Sequence, residues 1–156
     1  MILIHAFAQK MRNGMPNPKT YPHWPELLAL LGEKNVVQIG LPGDQVLVKD
    51  FRAGLTFAAI HGLVEEAQYW ISVDSFLPHL AHHVPKHGVV LWSLSDPAIF
   101  GYEENLNLLK DRAYLRAKQF RVWEEQSCVP DAWLEPDEIV ARIREWRKLK
   151  LVERVA

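Results

Sequence analysis

The sequence predicts an α/β fold: a single domain built on a mainly parallel, doubly wound sheet. Three observations predict it. Short aliphatic runs alternate with segments of helical period, in the order strand, helix, strand, strand, helix, strand, helix, strand. The run "GVVLW" is apolar at successive positions, and a strand apolar on both faces belongs inside a parallel sheet. The chain has 156 residues, about the length of one domain, so residues 1–156 are read as one unit.

Each element has its own signal. The first strand, Ile2–His5, is aliphatic and opens the chain. "QKMRNGMPNPKTYPH" follows, with the length of a functional loop rather than a tight turn. "WPELLALLG" reads as a helix: Pro25 suits the first turn, Glu26 the positive end of the dipole, and Gly32 the C-cap. "NVVQIG" is the second strand, ended by the turn "LPGD", and "QVLVKD" is the third. Residues 55–66 are helical, with Thr56 as N-cap and Leu55, Ala58, Ala59 and Leu63 on one face. "AQYWISVD" is the fourth strand, "FLPHLAHHV" a short helix limited by Pro85, and "GVVLWSL" the fifth strand. A short sixth strand falls at residues 106–110, and residues 113–125 stay open between helix and extended chain. "LEPDEIVARIREWRKLKL" is the clearest helix. Pro136 opens it, Asp137 and Glu138 sit in its first turn, and Ile139, Ile143 and Trp146 recur on one face.

Composition excludes several classes. The formal net charge is -1 with acids and bases mixed, so no electrostatic footprint for nucleic acid exists. No segment reaches the roughly 18 apolar residues of a membrane span. The single cysteine, Cys128, cannot form an internal disulfide, which suits a reducing compartment. "MILIHAFAQK" has no basic region before its apolar run and reads as a strand, not a leader. A cytoplasmic location is the expectation.

The chemistry gathers in "VDSFLPHLAHHVPKHGVVLW". Parallel sheets bind ligands beyond the carboxyl ends of their strands. Asp74 and Ser75 follow the fourth strand and precede a helix, whose free N–H groups suit phosphate oxygens. The same two residues equally suit a plain helix cap. Gly40, Pro42, Gly43 and Asp44 follow the second strand, and Ser93, Ser95 and Asp96 the fifth, so polar groups converge on one rim. Lys19, in the long first loop, reaches the same rim or is simply solvated.

Alternative chemistries fit less well. His79, His82, His83 and His87 include i,i+4 pairs that can chelate zinc on a helix. There is no HExxH and no nearby cysteine, and Pro85 takes His87 off the helix, so no metal is expected. His79 is expected to face the cleft or core, with His82 and His83 at the surface. Asp74 and Ser75, adjacent in sequence, cannot easily flank the His79 imidazole from opposite sides as a hydrolytic triad requires, and no GxSxG exists. Neither GxGxxG nor GxxxxGKS/T occurs. Most of the tryptophans suit the core or a helix face; Trp24 and Trp70 do not read as stacking platforms.

Four stretches in order carry a resemblance. "KTYPHWPELLALL", "VVQIGLPGDQ", "LTFAAIHGLVEEAQYWISVDSFLPHLAHHV" and "VVLWSLSDPAIFGY" resemble the C-terminal half of the heptosyltransferase-like glycosyltransferases. That family, the ADP-heptose:lipopolysaccharide heptosyltransferases, has two Rossmann-like domains facing across a cleft, the GT-B fold. The resemblance covers roughly residues 2–143. It implies a Rossmann-like donor domain whose ligand is a nucleotide diphosphate sugar, with no further cofactor. Lys19 would neutralise the diphosphate, Asp44 would lie near the ribose, and Asp74 would bond sugar hydroxyls. Ser75 and the backbone at Phe76 and Leu77 would face phosphate, and His79 would support the cleft.

Two departures shape the functional expectation. Phe76 stands where the family has glycine, and the family's N-terminal domain, with the acceptor site and the aspartate proposed as base, has no counterpart. No catalytic residue is therefore assigned. The expectation is a glycosyltransferase component working with a separate acceptor-domain chain or as a homodimer. The alternatives are a non-catalytic nucleotide or nucleotide-sugar binding module, and an interaction protein that kept the fold.

Overall fold

Alternation along the strands divides the core into two layers. In β1 (Ile2–His5), Ile2 and Ile4 face one side and Leu3 the other. β4 (Tyr69–Val73) and β5 (Gly88–Trp92) repeat the division. Tyr69, Ile71, Val73, Val89 and Leu91 join Ile2 and Ile4, whereas Trp70, Val90 and Trp92 join Leu3. All residues of these three strands are buried, which demands a cover on each face. On the first face lie α1 (Trp24–Leu31), through Trp24 and Leu27, and α5 (Pro136–Glu153), through Ile139, Val140 and Ile143. On the second lie α2 (Phe57–Glu66), through Ile60, Leu63 and Val64, and α3 (Phe76–Ala81), through Leu77 and Ala81.

The computed structural model describes residues 1–153. Its six-stranded sheet is wholly parallel, in the order β3-β2-β1-β4-β5-β6, with β2 at Val36–Gly40, β3 at Asp50–Ala53 and β6 at Leu106–Leu109. The protein is thus a single α/β domain of the doubly wound kind. The chain winds outward from β1 to β3, then crosses back to set β4 on the other side of β1. Connections after β1 and β4 therefore diverge and leave a crevice at their carboxyl ends. The register His5↔Ser72 sets the end of β1 level with the turn that carries Asp74.

Ends of helices follow sequence chemistry. Gly32 takes φ 65 and closes α1 with its N–H on the Leu28 carbonyl, a conformation costly for a residue with Cβ. Thr56 Oγ accepts from Ala59 N at 3.2 Å to start α2. Buried indoles find acceptors: Trp24 Nε1 donates to Ala6 O and Trp92 Nε1 to Asn107 Oδ1, each at 2.9 Å. Among the described residues, no helix is long and apolar enough to cross a membrane.

Several local expectations are corrected. The third strand is Asp50–Ala53, not "QVLVKD". Gln38 is fully buried in β2; its Nε2 donates to Gln45 O and its Oε1 accepts from Leu47 N, both at 2.8 Å. Those main-chain groups are diverted to a side chain, so ladder pairing starts only at Asp50 beside Val37. The buried face of α2 is Ile60, Leu63 and Val64, with Ala58 and Ala59 exposed, because the larger aliphatic groups win the core. A short α4 (Pro97–Phe100) follows β5, capped by Asp96, whose Oδ1 accepts from Ala98 N at 2.9 Å. Within residues 113–125 the chain makes one turn that ends at Tyr114 and a second at Trp123–Glu125, rather than a full helix.

Candidate functional site

A cleft of about 560 Å³ opens at the carboxyl ends of β1 and β4, the point where strand order reverses. β1 contributes His5, the β4–α3 turn Asp74 and Ser75, and α3 Phe76 and His79. From the long β1–α1 loop come Lys10, Arg12 and Lys19; Trp123 and Glu124 close the far wall.

Asp74 is the electrostatic centre of the cleft. Its Oδ2 accepts from Ser95 Oγ at 2.6 Å, and Lys19 Nζ lies 3.4 Å away. The Lys19 and Asp74 side chains are only 18% and 13% exposed, so salt screens this pair less than a surface pair. No hydrogen bond reaches Oδ1 among the described residues. Lys19 owes its place to an ordered loop: Asn17 Nδ2 donates to Gln9 O at 2.7 Å, and Asn17 Oδ1 accepts from Lys19 N at 3.0 Å. Ser93, just past β5, anchors the same loop through the Pro18 carbonyl at 3.4 Å.

Ser75 sits in a chain of polar groups with one consistent proton order. Ser72 Oγ donates to Val73 O at 2.8 Å, so in its 2.9 Å contact with Ser75 Oγ it must accept. The Ser75 proton is then committed, and His5 Nδ1, 2.9 Å from Ser75 Oγ, must be the donor. Burial pushes the His5 imidazole down to about 4, against a smaller upward pull from Asp44, so the ring is neutral at pH 7. A neutral imidazole that donates to Ser75 cannot take the serine proton. A serine nucleophile activated by His5 is excluded in this arrangement. Ser75 Oγ also accepts from Leu77 N at 3.4 Å, which makes it the cap of α3.

The residues singled out in the sequence separate here. Lys19, Asp74, Ser75, Phe76 and His79 line the cleft together. Phe76 has no positive φ; its ring stands edge-on to His5 at 4.7 Å and tilted against Phe57 at 5.6 Å. His79 is exposed on the rim, with Nδ1 3.0 Å from the Tyr102 hydroxyl. Asp44 and Leu77 do not line the cleft. Asp44 Oδ2 accepts from Leu41 N at 2.7 Å and closes its own turn, with Gly40 leaving the room a Cβ would fill. Leu77 is fully buried in the second core layer, and its N–H is already bound to Ser75. Among the described residues no group of three His, Cys, Asp or Glu is arranged to hold a metal ion.

Sequence reasoning missed His5, Lys10, Arg12, Trp123 and Glu124 in the cleft, and Arg116, which stacks on Trp123 without lining it. His5 had a usable signal, a polar residue at the carboxyl end of a buried strand. Arg116 and Trp123 had none, because they lie in the stretch with no readable period. The Arg116 guanidinium stacks 3.7 Å above the Trp123 ring, and Lys19 Nζ is 5.2 Å from the same ring.

A larger cavity, about 710 Å³, lies at the other end of the sheet, lined by Tyr69, Lys86 and Arg147 among others. Two of its cations serve the fold. Lys86 Nζ donates to Ala67 O at 2.8 Å, and Arg147 pairs with Glu33 at 2.8 Å. The switch-point cleft is the better candidate, because it lies at the carboxyl ends of the strands, where parallel sheets bind ligands.

Neither any protein-family model nor any curated protein matches the chain. Among solved structures, it is similar to the E. coli heptosyltransferase WaaC with ADP, with a TM-score of 0.52 at 17% identity over 68% of this chain. The match spans 37% of the length of that chain. The likeness is one of fold: this domain has the architecture of one part of a heptosyltransferase.

Proposed function

We propose that the cleft between β1 and β4 binds a nucleoside diphosphate carrying a sugar, and that the chain is the donor-binding unit of a glycosyltransferase. One observation carries the reading: the sheltered Lys19–Asp74 pair stands at the switch point of a doubly wound sheet, with Ser75 and His5 beside it. A lysine supplies charge for phosphate oxygens, and the open Oδ1 of Asp74 accepts from sugar hydroxyls. Support also comes from the fold likeness to a heptosyltransferase whose structure was solved with ADP.

Transfer chemistry needs an acceptor and a general base. Neither the neutral, donating His5 nor the committed Ser75 is placed as a base. The acceptor and base are therefore assigned outside this cleft, to a further domain, a separate acceptor-domain chain or a second copy. The same observation favours a second reading, a binding module without turnover.

Calorimetric titration of ADP, GDP and UDP, each with and without a sugar, tests the proposal. Binding of one pair is expected. Lys19→Ala should weaken the bare diphosphate roughly ten- to a hundredfold, the effect of losing one charge-assisted contact. No binding of any of them by the wild type would overturn the reading and leave an interaction protein of this fold.

A further inference from the structure

Five of the six tryptophans belong to the core: Trp24, Trp133 and Trp146 pack with the first layer, Trp70 and Trp92 with the second. Trp123 joins neither layer. It is half-buried and forms part of the cleft wall. The fold nevertheless holds it firmly. Arg116 covers one face at 3.7 Å, and the next residue, Glu124, ties the turn to the long loop by accepting from Arg12 N at 3.3 Å. Gln119 fixes the segment to the end of β5. Its Nε2 donates to Leu94 O at 3.1 Å and to Arg116 O at 2.7 Å, and its Oε1 accepts from Asp96 N at 2.9 Å.

Arg116 is held on the Trp123 ring by its stacking and by Nη2, which donates to the Gln119 carbonyl. Its Nε is buried without a hydrogen-bond partner among the described residues. Unmet buried donors are rare in native structures. The guanidinium does not line the cleft; it contacts the indole and the Gln119 carbonyl. Such an arrangement fixes the orientation of a ring that no core packing holds.

We propose that Trp123 is the platform on which the sugar ring of the ligand stacks, with Arg116 as its positioning residue. This rests on the nucleotide-sugar reading of the cleft. A sugar ring has an apolar C–H face bordered by hydroxyls, so it needs an aromatic surface next to a hydrogen-bonding carboxylate. The cleft holds that pair: Lys19 Nζ is 5.2 Å from the indole and 3.4 Å from Asp74 Oδ2. A nucleobase needs in-plane donors and acceptors instead. Near this indole lie a carboxylate and an ammonium, which suit hydroxyls.

The test titrates UDP-glucose, GDP-mannose and ADP-glucose, and the matching bare diphosphates, into wild type, Trp123→Leu, Trp123→Phe and Arg116→Ala. Because Trp123 lies outside both core layers, the variants should keep their fold, checked by circular dichroism. For whichever pair the wild type binds, Trp123→Leu should weaken the sugar-bearing ligand roughly fivefold or more, leaving the bare diphosphate within about twofold. Trp123→Phe should retain most of the affinity. Arg116→Ala should reproduce the loss for the sugar-bearing ligand in weaker form. Equal loss for both ligands would transfer the platform to the base and overturn the sugar assignment. No loss for either, with wild-type binding intact, would overturn the platform and leave the binding reading standing. A wild type that binds nothing would overturn the nucleotide-sugar reading and this inference with it.

Discussion

Asp44 and Asp74 make an instructive pair. Both are acids just past the carboxyl end of a parallel strand, β2 and β4, and both stand beside turn-forming residues. Asp44 bonds a neighbour three residues away, Leu41 N at 2.7 Å. Asp74 engages Ser95, 21 residues away, and Lys19, from a loop on the other side of the crevice. A local partner makes an acid part of a turn; distant partners make it part of a site. Topology decides which, because β4 borders the switch point and β2 does not.

The two turns meet electrostatically at His5, which gives the largest expected effect. His5 bonds Ser75 of one turn and feels the charge of Asp44 from the other. Its folded pKa, about 4, lies below the ordinary imidazole value of about 6.5 because burial disfavours the charged ring. The unfolded chain therefore binds a proton at pH 6.5 that the native protein refuses until about pH 4. The stabilisation is complete above pH 6.5 and is lost as pH falls toward 4, by about 3 kcal/mol in total. His5→Gln keeps an N–H donor and removes the titration. Urea unfolding across that window should show a steeper loss for wild type than for the variant. Parallel curves would mean that His5 titrates normally.

The next effect breaks the comparison directly. Asp74→Ala should weaken a sugar-bearing diphosphate about tenfold more than the bare nucleotide, since its free oxygen is assigned to hydroxyls. Asp44→Ala should leave both affinities within about twofold and cost about 1 kcal/mol of stability through the lost turn hydrogen bond. Paired titration and melting curves would settle it. Equal binding losses at the two positions would refute the distinction drawn between them.

The same contrast explains what the sequence made legible. The parallel sheet was readable because β1, β4 and β5 are buried on both faces, and continuous apolar runs record that. The third strand was misplaced because the decisive residue, Gln38, acts through its side chain on main chain seven and nine residues away. Asp74, Ser75 and Lys19 were readable as polar groups at strand ends and in a long loop. Asp44 looked equivalent because strand order, which alone separates β2 from the crevice, is not written in local pattern. Trp123 and Arg116 were invisible for a related reason. Their segment has no secondary-structure period, and their meaning comes from a stacking contact and from Gln119, which ties the loop to the end of β5.

The smallest effect expected concerns Phe76, the residue that most clearly departs from the glycine of the resembling family. Its backbone has no positive φ, so glycine is not required there for conformational reasons. What matters is the ring, which lines the cleft edge-on to His5 at 4.7 Å and narrows the approach to the Ser75 turn. Phe76→Gly removes that wall. It also places glycine in the first turn of α3, where its unfolded-state freedom costs up to about 1 kcal/mol. Binding and stability should therefore move in opposite directions: a few-fold tighter nucleoside diphosphate and a lower melting temperature. Phe76→Ala separates the causes, since it opens the cleft with less backbone cost. If both variants bind more weakly than wild type, the ring supports the ligand or His5 rather than obstructing it. The aromatic pair of Phe76 and Phe57 would then join the binding surface.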